Sequence, residues 1–530
     1  TTSELLSNLP PEFKKDLVGE IHDLLRESKK TLVILDDDPT GTQTVFDVPV
    51  LTDLSAQSIK DAIDEAPPVL FLLTNSSALT VEQTTELHQR LGDILKEYQD
   101  DIIVISRSDS TLRGHFPLET NLLRDALGIP EAPTLFIPFF AAGGRLTVAD
   151  THYVVEGDTA TPAHLTPFAN DNAFPFSHSY LPDYIAEKSD GPVDVQSISL
   201  EELRAGAVSE KIAALPASST CIVNAASITD LNVLSVALLK SDRRFIIRSA
   251  ASFVQSLAGI VSRPPLDPWQ MQDLDPNPNG GLIIVGSHVP KTSAQLAHLI
   301  ENAPNAVPLE LNVLALLENP DDTLFPLSAK LNQTIESGKT AILFTSRDRI
   351  DAPSEAENLA ISQTISRSLV SLVQSVVARP SFLIVKGGMT SSDIATDALG
   401  VKQAMVLGQI LPGVPVWTIG NETRHPGLAY VIFPGNVGGD DALTHAYQKL
   451  SPKAPGQNRA NDRSSAKETS ARPALLEGRI INLRKPGLPD DAQAHVYQLL
   501  GLDWKTACLS RQTELKKATT STTADTQEAW

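Results

Sequence analysis

The 530-residue chain has almost no cysteine: only Cys221 and Cys508 are present. A disulfide framework and a cysteine-rich metal site are thereby excluded, and a reducing, cytoplasmic setting is the natural expectation. No apolar run approaches the roughly 20 residues that a membrane-spanning helix needs. Residues 1–11 lack the basic-then-apolar pattern of an export signal. Positive charge is also scarce, with 43 Lys and Arg against 64 Asp and Glu and a net charge of −21. That balance argues against nucleic acid or an anionic membrane as partner, while leaving room for local arginines that hold a small anion. Walker, dinucleotide-binding, His-Glu-x-x-His and Gly-x-Ser-x-Gly patterns are all missing. His115, His152 and His288 stand singly, so no metal ligands are assigned.

What is present is a rhythm of short β-branched runs, polar loops and helical stretches. A polar helix is expected over residues 12–28, then apolar runs at 31–35, 69–73, 102–105 and 134–137. Each of the four runs into a cluster of Asp, Asn, Ser, Arg or Gly. The alternation predicts an α/β protein with mostly parallel sheets. In such sheets ligands bind beyond the carboxyl ends of the strands, where these clusters fall. A stretch rich in Pro, Asp, Asn and Gly over 263–281 divides the chain, and a second α/β series begins at residue 282. The expected organisation is a domain over 1–265, a linker over 266–281, a second domain over 282–450 and a ligand cleft between the two. A polar linker and an appended tail would fill 451–530.

The most concentrated feature is Asp36-Asp37-Asp38-Pro39-Thr40-Gly41. Adjacent carboxylates repel, so a fold keeps them where a metal ion, a basic group or a shared proton compensates. After the third run come Arg107, Ser108, Asp109, Arg113 and Gly114, and after the fourth comes Arg145. A guanidinium fork pairs bidentately with a carboxylate, which suits a sugar acid better than a neutral sugar. Arg113 could instead simply pair with one of the three aspartates. Asn75 follows the second run. In the second half, Gly286-Ser287-His288, Lys386-Gly387-Gly388-Met389-Thr390-Ser391-Ser392 and Pro434-Gly435-Asn436-Val437-Gly438-Gly439 each end a run. Glycine turns and hydroxyls at a helix start make anion sites from backbone N–H groups.

These motifs, in this order, resemble the four-carbon acid sugar kinase family over about residues 31–450. Asp109-Ser-Thr-Leu-Arg-Gly114 is the most specific string. The resemblance implies an N-terminal acid-sugar-binding domain, a C-terminal nucleotide-binding domain, ATP and Mg²⁺ as cofactors, and phosphorylation of compounds such as threonate, erythronate or oxo-tetronates. On it, Asp37, Arg113 and Arg145 fall on the sugar side, joined by Asp36, Asp38, Asn75, Arg107, Asp109 and Gly114. Ser287, Gly387, Gly388, Met389, Thr390, Ser391, Gly435 and Asn436 fall on the nucleotide side. Asp37 is the expected proton acceptor, with Asp36 and Arg113 beside it. Three positions depart from the family's usual pattern: Met389 replaces an acid, Phe433 a lysine and Val289 a serine. The oligomeric state stays open, a homodimer included. Two other readings share these residues. One is a haloacid dehalogenase-like phosphatase with Asp36 as nucleophile and Asp38 as acid/base. The other is an impaired relative that binds without turnover.

Overall fold

Successive side chains of a strand point to opposite faces, and in the computed structural model this alternation feeds cores on both sides of one sheet. Strand β1 (Thr31–Asp36) shows it most plainly. Leu32 and Ile34 pack with Ile21 and Leu25 of the helix Val18–Ser28 and with Leu231 and Leu234 of the helix Ile228–Leu239. Val33 and Leu35 pack on the other face, with Ile59 of the helix Ala56–Asp64 and Leu91 and Leu95 of the helix Val81–Lys96. A strand buried on both faces reads as a continuous apolar run, which is why this one was legible. The structure describes residues 1–272, 277–347 and 355–451. The tail expected from 451 lies, apart from Ser451, outside the described residues.

The first half also contains β2 (Val48–Leu51), β3 (Val69–Leu73), β4 (Ile102–Arg107), β5 (Thr134–Ile137), β6 (Arg145–Val148), β7 (Thr151–Glu156), β8 (Thr159–Pro162), β9 (Val195–Ile198), β10 (Thr220–Val223) and β11 (Ile246–Ser249). The second half adds β12 (Leu282–Val285), β13 (Ala306–Leu311), β14 (Thr340–Thr345), β15 (Leu383–Lys386), β16 (Gln403–Leu411), β17 (Val414–Ile419) and β18 (Ala429–Phe433). β6, β7 and β8 form a small antiparallel sheet. The other strands form one 15-stranded sheet in the order β13-β14-β12-β15-β18-β17-β16-β2-β3-β1-β4-β11-β5-β10-β9. Pairing is parallel except at β18–β17, β17–β16 and β16–β2.

The two halves are therefore joined edge to edge. Val50 of β2 pairs with Phe71 of β3 on one side and with Ala404 of β16 on the other. The 3₁₀ turn Pro39–Thr44 is buried along this seam. Its Thr42 Oγ1 accepts a hydrogen bond from Trp417 Nε1 at 2.9 Å, and Thr44 Oγ1 donates to Ala251 O at 3.0 Å.

Two sequence expectations change in detail. The opening helix is shorter than 12–28, starting at Val18, and a separate helix, Thr2–Ser7, precedes it with Thr1 and Glu4 in a capping box. Within 266–281 the chain forms a short helix, Pro268–Gln272, and Leu266 N donates to Gln409 O of β16 at 2.7 Å. Among the described residues no helix is long and apolar enough to cross a membrane.

Because Trp417 and Thr42 are both fully buried, Thr42→Val should leave the indole N–H without an acceptor and lower stability by about 1–3 kcal/mol. Urea unfolding should show a lower midpoint at unchanged slope. An unchanged midpoint would show that the seam does not depend on this bond.

Candidate active site

In the first half, the chain leaves β1 toward β3 on one side and crosses back to β4 on the other. In the second half, it leaves β12 toward β13 on one side and returns from β14 to β15 on the other. Such reversals open a crevice beyond the strand ends. Asp36–Asp38 and Arg107–Arg113 flank the first crevice. Gly286–Ser287 and Gly387–Gly388 flank the second.

At the first crevice, parallel pairing sets Asp36 of β1 beside Arg107 of β4. Arg107 Nη1 lies 3.1 Å from Asp36 Oδ1 and 3.0 Å from Asp37 Oδ1, all three side chains being buried. Asp37 Oδ2 also accepts the Asp109 N–H at 3.2 Å. Burial pushes Asp36 up to about 7 against the pull of Arg107. Asp37 is raised as well, by burial and by the nearby Glu119 and Asp36 charges, again against Arg107. One guanidinium between two buried acids leaves a proton easy to hold on the pair. Gly41 seals Asp36: a Cβ there would sit 2.1 Å from both carboxylate oxygens. An enclosed carboxylate of this kind does not fit the nucleophile of the phosphatase reading.

Arg113 does not pair with the three aspartates. Its Nε and Nη2 grip Asp109 at 3.0 and 3.2 Å, and Nη1 meets Asp171 at 3.3 Å. Burial alone would raise Asp109, but the Arg113 charge and the hydrogen bonds from Arg113 and Thr111 outweigh it and hold Asp109 below its ordinary value. Arg145 differs. It shares the Phe168 ring with Arg113, at 5.5 and 5.2 Å from the centroid, yet its Nε is buried with no hydrogen-bond partner, and no ion pair reaches it among the described residues. The Phe168 ring thus carries an unpaired guanidinium beside a paired one. Asn75 adopts a left-handed conformation, φ 51°, with its N–H on Asp36 O and its Oδ1 buried without a partner.

The three glycine loops of the second half end β12, β15 and β18, which are adjacent strands. Ser287 is their meeting point: a Cβ on Gly387 would lie 3.4 Å from Ser287 Cβ, and one on Gly435 would lie 3.2 Å from Ser287 Oγ. Thr390 Oγ1 would stand 2.4 Å from a Cβ on Gly286. Ser391 Oγ is turned inward, onto Val385 O and Gly387 O, so it braces the helix start rather than facing the crevice. Met389 is exposed. The two crevices also touch, since a Cβ on Gly388 would lie 2.5 Å from Asp38 Oδ2. Asp38 Oδ1 meanwhile caps the Thr40 N–H at 2.8 Å.

Sequence reasoning gave no site role to four residues that stand here. Glu119 is buried under the acid cluster, taking Ser76 Oγ at 2.5 Å with His88 Nε2 3.7 Å away. Arg248, fully buried on β11, donates to the carbonyls of Asp109 and Arg113 at 3.1 and 3.3 Å. His152 bridges Thr147 Oγ1 and Ser110 O, and burial lowers it to about 4, so it supports the Asp109 loop as a neutral ring. Lys386 ends β15 with its Nζ 4.2 Å from the centroid of Phe433. The Phe433 side that lacks a lysine thus receives an ammonium from the neighbouring strand. An Arg within a strand run was the one visible signal, for Arg248 as for Arg107.

Among the described residues no three His, Cys, Asp or Glu side chains converge as a metal cage. A magnesium ion fits here only in the form it commonly takes with nucleotides, held by phosphate oxygens and one carboxylate. Asp38, at the contact between the crevices, is a carboxylate that could hold it.

Comparison with known proteins finds matches to both halves of the chain. Residues 32–257 match a sugar-binding N-terminal domain, and residues 282–443 match a nucleotide-binding C-terminal domain. A curated relative, the 3-oxo-tetronate kinase of Cupriavidus necator, is 24% identical over 173 residues, which span 32% of this chain and 38% of that protein. Two solved structures share the fold. A Salmonella typhimurium LT2 protein described as a candidate tRNA synthase has a TM-score of 0.59 at 16% identity, covering 80% of this chain and 100% of that one. A Haemophilus influenzae protein from a domain family of unknown function has a TM-score of 0.53 at 17% identity, covering 79% and 100%. With both domain types in the expected order around two touching crevices, the chain belongs to the four-carbon acid sugar kinase family.

Proposed function

We propose that the protein transfers the γ-phosphoryl group of ATP to a hydroxyl of a small, four-carbon sugar acid. The observation that carries this reading is the contact of Gly388, in a glycine-rich loop, with Asp38, beside the buried acid pair. It supports a phosphoryl donor and an acceptor meeting at one point. Residues 1–265 would form the sugar-acid domain and 282–450 the nucleotide domain, joined through 266–281, with 451–530 as an appendage of unassigned role. The free, buried Cys221 fits a reducing cytoplasm.

Phosphoryl transfer needs positioning and charge neutralisation more than covalent chemistry. Arg145, with no acid of its own, is the residue best placed to take the substrate carboxylate, and Arg113 flanks it. Arg107 orients Asp36 and Asp37 and keeps the pair partly ionised. Asp37 accepts the proton of the attacking hydroxyl, a task suited to a carboxylate raised toward the operating pH. Ser287, Gly387, Gly388, Thr390, Gly435 and Asn436 bind the phosphates, with Met389 at the rim and Ser391 bracing the helix start. Mg²⁺, when bound, would offset phosphate charge, with Asp38 as its protein ligand.

An ADP-release assay on a panel of four-carbon sugar acids tests this directly. Wild-type turnover is expected with at least one acid, and Asp37→Asn should lower kcat by about 10²–10⁴-fold. Sugar-acid binding without ADP release at any magnesium concentration would favour the impaired relative. Phosphate release from a sugar phosphate without ATP would favour the phosphatase. Arg145→Ala should raise KM for the acid by about 10- to 100-fold, the worth of one charge-assisted hydrogen bond. The corresponding neutral polyol should lose nothing, and an equal loss for both would remove Arg145 from carboxylate recognition.

The pH profile follows from the raised acids. A base works in its ionised form, so kcat/KM should fall as pH drops through the raised range of the buried pair, in which Asp36 lies at about 7 and Asp37 is raised as well. Asp37→Asn should abolish that limb, whereas a limb near the ordinary carboxylate value would rule out the buried pair as base.

A further inference from the structure

Lys386 ends β15 among the glycine-rich loops, fully buried, and meets no carboxylate among the described residues. Its Nζ donates to the carbonyl oxygens of Pro434 at 2.5 Å and Gly435 at 3.2 Å, with the Phe433 ring on another side. A trans peptide is planar and points its C=O and the following N–H in opposite directions. Both of these peptides are trans. Turning the two carbonyls inward onto the ammonium therefore turns the N–H groups of Gly435 and Asn436 outward. Neither N–H has an acceptor among the described residues. Consecutive outward N–H groups form an anion-binding nest.

We propose that Lys386 is a positioning residue whose ammonium holds the Pro434–Gly435 loop in the form that presents two N–H groups to a nucleotide phosphate, and that it takes up a proton when that phosphate binds. This rests on the nucleotide reading of the second half. A neutral amine has one donor fewer and a lone pair that repels a carbonyl oxygen, so it grips the loop less well. A phosphate arriving across the peptide in turn favours the charged amine.

The surroundings poise the group for such coupling. Burial, reinforced by Lys291 in the first turn of the helix Pro290–Asn302, lowers Lys386 to about 7. The elements around it carry further charged or titratable groups, among them His288, Arg347, Asp38, Asp393, Tyr430, Asp440 and Asp441. His288 bonds Ser346 O, Arg347 bonds Ser287 O, and Asp441 lies 3.7 Å from His445. The bookkeeping of the proton is simple: Lys386 –NH₂ gains H⁺ from solvent and becomes –NH₃⁺. Because the nucleotide prefers the protonated form, its affinity should be full below about pH 7. Above that pH it should weaken by about tenfold per unit until the bound-state pKa is passed.

Calorimetric titration of the full chain with ADP, at pH 6 and pH 8 in buffers of different ionisation enthalpy, tests both parts. At pH 8 the ADP phosphates are fully ionised, so proton uptake there comes from the protein. Wild type should take up a fraction of one proton at pH 8 and less at pH 6. Lys386→Met should show no uptake, bind ADP at least tenfold more weakly at pH 6, and lose the decline above pH 7. ADP binding by wild type without proton uptake at pH 8 would overturn the inference and leave the nucleotide reading standing. So would a Lys386→Met variant matching wild type in affinity and pH slope. Absence of ADP binding by wild type would overturn both. If Lys386→Met does not fold, the wild-type buffer comparison decides alone.

Discussion

One guanidinium, that of Arg107, sets the terms for the rest of the site. Two adjacent aspartates at the end of a buried strand would each shed their charge without a cation in contact. Arg107 reaches both from the neighbouring strand at about hydrogen-bond distance. The register that places it there is fixed by the parallel pairing of β1 with β4, which the apolar cores on both faces hold in turn. A one-residue slip would send Arg107 to the opposite face. The compensation is incomplete, and this matters chemically. Burial still raises both acids, and Asp36, at about 7, is left able to gain or lose a proton near neutral pH.

Arg113 and Arg145 illustrate how a site separates structural from available charge. The Asp109 carboxylate and Asp171 engage Arg113 on two sides. Arg145, resting on the same phenylalanine, engages neither. The first is tied into the loop, and the second keeps a guanidinium without an acid among the described residues. Proximity in sequence could not distinguish them, because the acids that engage Arg113 lie four residues before it and 58 residues after it.

Much of the architecture was legible before any coordinates. The apolar runs at β1, β3, β4, β5, β12 and β18 announced themselves because strands buried on both faces are uniformly apolar. The acid cluster and the glycine loops stood out by composition. β2 did not, since a proline inside a four-residue run argues against an interior strand. Nor did Glu119, which lies on a helix, Leu118–Ala126, like any surface acid. Pairing of Arg113 with one of the three aspartates was the alternative left open by the sequence, but Arg107 lies directly in register with Asp36 and takes that place. Spacing along a strand predicts which face a residue uses. It does not predict which neighbour the sheet supplies.

The β2 seam bears on how divisible this chain is. Sequence comparison sees two modules with a joint near residues 258–281, yet the backbone ladder runs through that division without a break. Cutting at the joint would strip β2 of β16 and leave each fragment with a raw sheet edge, an invitation to pair with other chains. The two modules that sequence comparison separates share one sheet in the folded chain.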